Sequence, residues 1–178
     1  MTFVPMAGDI LLIEKKGPAG RIISWWQRKT GPVSDGSNLT HCCSFTAQDK
    51  VFEALPLGLK ERTFPTKYKK YRHVLIRRKG TTIDRAKITE FVGRHRGRWY
   101  SHLMILGLGL MQWLSLDKNP FNSGNICTKE CYMWSVNVLD DYVITGKYDR
   151  NSLTVEELYE YYINSNDYQI VYDSQDTK

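Results

Sequence analysis

The chain has 178 residues, 42% of them hydrophobic and 25% charged, with a formal net charge of +6 and a pI near 9.1. That length and balance suit a single soluble domain with a sizeable core and argue against two independent domains. The basic clusters at residues 67–72 and 94–98 carry no nucleic-acid-binding motif, so a solvated basic face or attraction to an anionic polymer, such as a cell wall or a membrane surface, is expected rather than specific nucleic-acid recognition.

Residues 1–9 hold no basic segment followed by an apolar run, so no secretory signal is read there; localisation stays open between the cytoplasm and delivery by another route, for example a viral one. Gly8-Asp9 opens a nearly continuous apolar run, Ile10 to Ile13, that suits a strand buried on both faces. From Arg21, the apolar positions Ile22, Ile23, Trp25 and Trp26 predict a short helix ended by Thr30-Gly31-Pro32. Adjacent helix positions differ by about a quarter turn, so Trp25 and Trp26 cannot share one buried face and one indole is expected toward a cleft or the surface.

A turn-rich loop at residues 33–38 precedes a strand over residues 39–46, and residues 51–55 return as its hairpin partner. His41 near the open end of one strand and Glu53 near the end of the other can then form a His–carboxylate pair. Residues 60–64 are expected to extend outward, residues 73–78 form another strand in which His73 is structural, and residues 82–92 form a helix capped by Thr82 or Asp84. The most apolar run, residues 103–116, is too short for a bilayer span, which takes ~20 residues, and is expected to be a buried core helix.

The four cysteines are expected to be reduced, because Cys42 and Cys43 are adjacent and a chain of this size needs no disulfide staples. No C-x-x-C pair occurs, so neither a metal site nor a cofactor is expected. Residues 123–139 read as a helix start with Ser123 or Asn125 as cap, Gly124 as the turn, and Cys127 in the first turn, where the helix dipole lowers a thiol's pKa. Thr154 and Glu157 make a capping box for a helix ending near Ser165, residues 168–172 close as a strand, and the acidic tail, residues 173–178, is expected to fray beyond a single domain of residues 1–172.

The order of these pieces resembles the permuted papain-like cysteine hydrolases related to NlpC-type cell-wall peptidases, the YiiX-like group. Gly8-Asp9-Ile10-Leu11-Leu12 resembles the family's opening strand, residues 21–27 its Trp-containing helix, Thr40-His41 its Ser-His strand start, and residues 51–59 its acidic-Ala-turn-Gly segment. Arg98-Trp99-Tyr100 is similar to the Tyr-containing segment before the core helix, Ile126-Cys127-Thr128 to the Cys-Ser helix start, and residues 153–158 to the "Ser-Pro-x-x-Leu" region. The family usually has two aliphatic residues three and four positions after its nucleophile, where this chain has Glu130 and Cys131.

The resemblance implies an α+β fold with an antiparallel sheet packed on a Cys-bearing core helix. It also implies a cysteine peptidase or amidase cutting an amide, including those of peptidoglycan peptides, through an acyl-enzyme. Cys127 is the preferred nucleophile and Cys131 its rival, His41 is the base, Glu53 orients it, and Trp25, Trp26 and Tyr100 line the substrate cleft. Two alternatives stand beside this: a lipid acyl hydrolase or acyltransferase on the same fold, since relatives of the lecithin retinol acyltransferase type act on lipid esters, and a non-enzymatic papain-like module that binds an anionic polymer.

Overall fold

Strand β1 (Ile10–Ile13) is the axis of the domain, with every residue buried and a neighbour hydrogen-bonded on each side. The computed structural model describes residues 3–17, 20, 21, 23–25, 28, 38–114, 116, 119, 121 and 124–175. Among them lie β2 (His41–Ala47), β3 (Lys50–Leu55), β4 (Gly58–Thr63), β5 (His73–Arg78) and β6 (Tyr168–Asp173), and the six strands form one antiparallel sheet in the order β4-β3-β2-β1-β5-β6. The helices include α1 (Arg85–His95), α2 (His102–Trp113), α3 (Cys127–Asn137), α4 (Val143–Lys147) and α5 (Val155–Asn164), with a 3-10 turn at Thr66–Lys70, and the described residues 20, 21, 23–25 and 28 are helical as well. The molecule is α+β, as expected.

Period-two alternation divides the strand residues between two cores. Ile10, Leu12, Cys42, Phe52 and Val74 face the helices, packing with Phe91 of α1, Trp134 of α3 and Leu158 of α5. Leu11, Ile13, Cys43, Val51 and Leu75 face a second, smaller cluster closed by Phe45 and Tyr68. Cys42 and Cys43 therefore point to opposite faces, and all four cysteines are free. Both faces of β1 are apolar because both are covered.

Trp134 fixes α3 on the sheet. Its indole is fully buried, meets Phe91 edge-on, and donates from Nε1 to the carbonyl of Gly8 at 3.2 Å. Truncating so large a buried side chain typically costs about 3–5 kcal/mol, so the helix that carries Cys127 is strongly anchored. The predicted capping box is present at α5, where Thr154 Oγ1 accepts from Glu157 N and Glu157 Oε2 accepts from Thr154 N. Asp84, rather than Thr82, caps α1.

Several expectations are corrected. Residues 60–64 do not extend outward: residues through Thr63 form β4, paired with β3 from Leu55–Gly58 to Lys50–Thr63. Asp173 does not fray, because it ends β6 and holds an ion pair with Arg72 at 3.0 Å. The apolar run over residues 103–116 is not a buried core helix: α2 leaves Leu103 and Leu106 exposed, and Leu114 and Leu116 beyond it are exposed too. No helix among the described residues is long and apolar enough to cross a membrane.

Candidate active site

The β2–β3 hairpin builds the first half of the site. Ser44 pairs with Phe52, and continuing that register sets Glu53 opposite Cys43, a diagonal step from His41 on the same face. His41 Nε2 lies 2.7 Å from Glu53 Oε2, with both side chains removed from solvent. Glu53 has two further partners: Arg62 donates from Nε to Oε1 at 2.5 Å, and the Tyr68 hydroxyl donates to Oε2 at 2.8 Å. Arg62 also donates to the Tyr68 oxygen at 2.9 Å, closing a ring of contacts around the carboxylate.

Helix α3 supplies the second half. Its N-cap is Ile126, which offers no side-chain acceptor; Asn125 instead donates from Nδ2 to the Trp99 carbonyl, and Ser123 lies outside the described residues. The helix start is held by the backbone. Asn125 N donates to Trp99 O at 3.2 Å and Ser101 N to Asn125 O at 2.8 Å, a short parallel bridge. Gly124 turns with φ +89°, and a Cβ there would stand 2.6 Å from Ser101 Cβ, so only glycine permits this crossing.

Cys127 thereby meets the first two residues of β2, His41 and Cys42. Its thiol is held well below the ordinary thiol pKa: the hydrogen bond from Cys42 leads, burial opposes, and the His41 interaction adds to the lowering. Burial alone would lower the His41 pKa, but Cys127 and then Glu53 outweigh it and raise it to about 9. Glu53, against the same opposition from burial, is brought down to about 2 by His41 and Arg62. A thiolate, an imidazolium and a carboxylate thus form one chain of mutually stabilising charges. Burial and the nearby Cys127 and Cys42 charges raise the Tyr100 phenol, which keeps it neutral beside the sulfur.

Cys131 differs from Cys127 in exposure and in the direction of its pKa shift. It has no exposure, against 8% for Cys127, and burial pushes its thiol up to about 12. It donates to Glu130 Oε2 at 3.4 Å, and Ser44 donates to Glu130 Oε1 at 3.2 Å. Burial raises the Glu130 pKa well above the ordinary carboxyl value, against the hydrogen bonds from Cys131 and Ser44. Ser44, a hydroxyl in the facing strand, accommodates the polar Glu130–Cys131 pair.

Of the expected cleft residues, Tyr100 lies near Cys127, Trp25 is exposed at 53% with no described contact to the thiol, and Trp26 lies outside the described residues. Sequence reasoning missed Arg62, Tyr68 and Cys42. Arg62 enters the site through β4, which pairs it with Val51, two positions from Glu53 on the same face. No protein-family model and no curated protein matches this chain.

Proposed function

We propose that the protein is a cysteine hydrolase of the permuted papain-like type, with Cys127 as nucleophile, His41 as base and Glu53 as the residue that orients and charges the imidazole. The observation that carries this reading is the buried 2.7 Å His41–Glu53 pair, beside which the Cys127 thiol pKa falls while the imidazole pKa rises. Nε2–H donates to Glu53, which leaves Nδ1 to take the proton from Cys127. The thiolate adds to an amide carbonyl, and the developing oxyanion is met by the free first-turn N–H groups of α3. Nδ1–H then protonates the departing amine, and water, deprotonated by His41, releases the acyl group and restores the thiol. Peptide amides, including those of peptidoglycan, are the proposed substrate class.

Iodoacetamide labelling across pH 5 to 9, with the modified site mapped, tests the site without a known substrate. The expected outcome is selective alkylation of Cys127 well below the ~8.5 of a free thiol, with Cys131 unreactive and the selectivity lost in His41→Ala. Slow and equal reaction of all four cysteines would sink the proposal. Hydrolysis of peptidoglycan fragments compared with acyl lipids, with Cys127→Ala as control, then assigns the bond.

A further inference from the structure

The sequence between Glu90 and Asp117 contains no acidic residue, and it runs from a cluster of arginines into the apolar helix α2. Arg94 pairs with Glu90 and Arg96 with Glu61, while Arg98 has no ion pair among the described residues. Arg98 lines a cavity of about 270 Å³ with His95, Asn125, Lys129 and Arg150. Burial and then the charges of Arg150 and Arg98 lower the Lys129 pKa, and Asp149 is the nearby carboxylate that opposes them. Asp149 is engaged by its own loop, accepting from Asn151 N at 3.1 Å and Ser152 Oγ at 3.3 Å. Lys129 also stands in the first turn of α3, where the dipole favours an anion over a cation. Lys129 Nζ donates to the Gly124 carbonyl at 2.9 Å, and the residues that line the cavity bring three cations and no carboxylate.

Directly beside the cavity the surface turns apolar. Trp99, whose carbonyl accepts from the cavity residue Asn125, is 86% exposed. Leu103 and Leu106 of α2 are 55% and 46% exposed, and Leu114 just past its end is 54% exposed. With half-buried Leu110 they fall at i, i+3, i+7 and i+11, one stripe of the helix surface. A monomeric protein rarely leaves such a contiguous patch to water. An exposed tryptophan between a leucine stripe and cations that have no ion pair among the described residues matches the layering of a bilayer interface: acyl boundary, headgroup level, phosphate.

We propose that this face docks on an anionic lipid surface, with Leu103, Leu106 and Leu114 entering the acyl boundary, Trp99 at headgroup level, and lipid phosphates meeting Arg98, Lys129 and Arg150. The Trp99–Ser101 segment that joins cavity and stripe also holds the start of α3, so docking brings the rim of the Cys127 site to the membrane. The proposal does not depend on hydrolysis.

The test is cosedimentation of the full chain with vesicles of phosphatidylcholine, with and without phosphatidylglycerol, at low and high salt. The expected result is binding to phosphatidylglycerol vesicles that weakens with salt, accompanied by a blue shift of tryptophan emission that Trp99→Phe diminishes. Leu103→Ser with Leu106→Ser, and separately Arg98→Gln with Arg150→Gln, each lower the partition coefficient about ten-fold or more. Both double variants change exposed side chains, and unchanged circular dichroism and Cys127 alkylation identify them as folded; Cys127→Ala binds like the unaltered chain. The proposal is overturned if vesicles are not bound, if folded double variants bind as well as the unaltered chain, if DNA is retained in place of vesicles, or if the leucine variants merely dissolve a dimer.

Discussion

Glu53→Gln probes the coupling on which the candidate site depends. The carboxylate is fully shielded and receives His41, Tyr68 and Arg62. Burial works against its charge, yet its pKa falls from 4.5 to about 2, which at 1.36 kcal/mol per pH unit is about 3 kcal/mol of preference for the ionised form in the folded state. The amide keeps an acceptor for His41 but removes the charge. Glu53 stands behind Cys127 among the groups that raise His41 from 6.5 to about 9, so the His41 midpoint is expected to fall by about one pH unit or more. The raised pKa stabilises the fold fully below pH 6.5, and that contribution is lost as pH rises through about 9; the substitution draws the loss toward neutrality. Proton NMR titration of the His41 ring, assigned by comparison with His41→Ala, reads the midpoint directly and needs no substrate. A midpoint unchanged in a variant that still melts cooperatively refutes the coupling.

Two further substitutions test the surrounding groups. Cys42→Ala removes the hydrogen bond that leads the lowering of the Cys127 pKa, so the pH midpoint of Cys127 alkylation rises and its rate at pH 6 falls; an unchanged profile assigns the lowering to His41 alone. Arg62→Met leaves the Glu53 carboxylate buried with one charge partner fewer, at an expected cost of about 1–3 kcal/mol at neutral pH. Because the Glu53 pKa is depressed, its stabilisation is present above pH 4.5 and is lost as pH falls through about 2. The acid-unfolding midpoint of Arg62→Met, followed by circular dichroism, therefore moves toward neutral pH, and a midpoint that stays in place removes Arg62 from the network.

The parts of the fold legible in the sequence were those set by short-range chemistry. The continuous apolar run Ile10 to Ile13, the short hairpin that juxtaposes His41 and Glu53, and the Thr154–Glu157 capping box all follow from residues within a dozen positions of one another. Strand β4 was hidden because Lys60, Glu61 and Arg62 read as solvent-facing charge, while in the sheet the guanidinium of Arg62 is turned onto Glu53. The apolar content of α2 suggested burial, because composition registers hydrophobicity and not whether another element covers it. In the sequence, Cys127 is set apart from Cys131 by its place in the first turn of the helix. Cys42 lies beside both thiols; what separates them physically is His41, brought to Cys127 from across the chain, and Glu130, which adjoins Cys131.

Ser44 and Glu130, which meet across the interface of β2 and α3, lie 86 positions apart, and His41 and Cys127 are joined across the same span. Contacts of such long range form late, since the loop they close must first give up its conformational entropy. A nascent chain that has completed the β2–β3 hairpin already holds its imidazole and carboxylate, yet it carries no activated sulfur until α3 docks on the sheet. Before that moment Cys127 is an ordinary thiol, ionised only to a few per cent at neutral pH. Its sudden readiness to alkylate would mark the completion of folding, a chemical clock written into the topology.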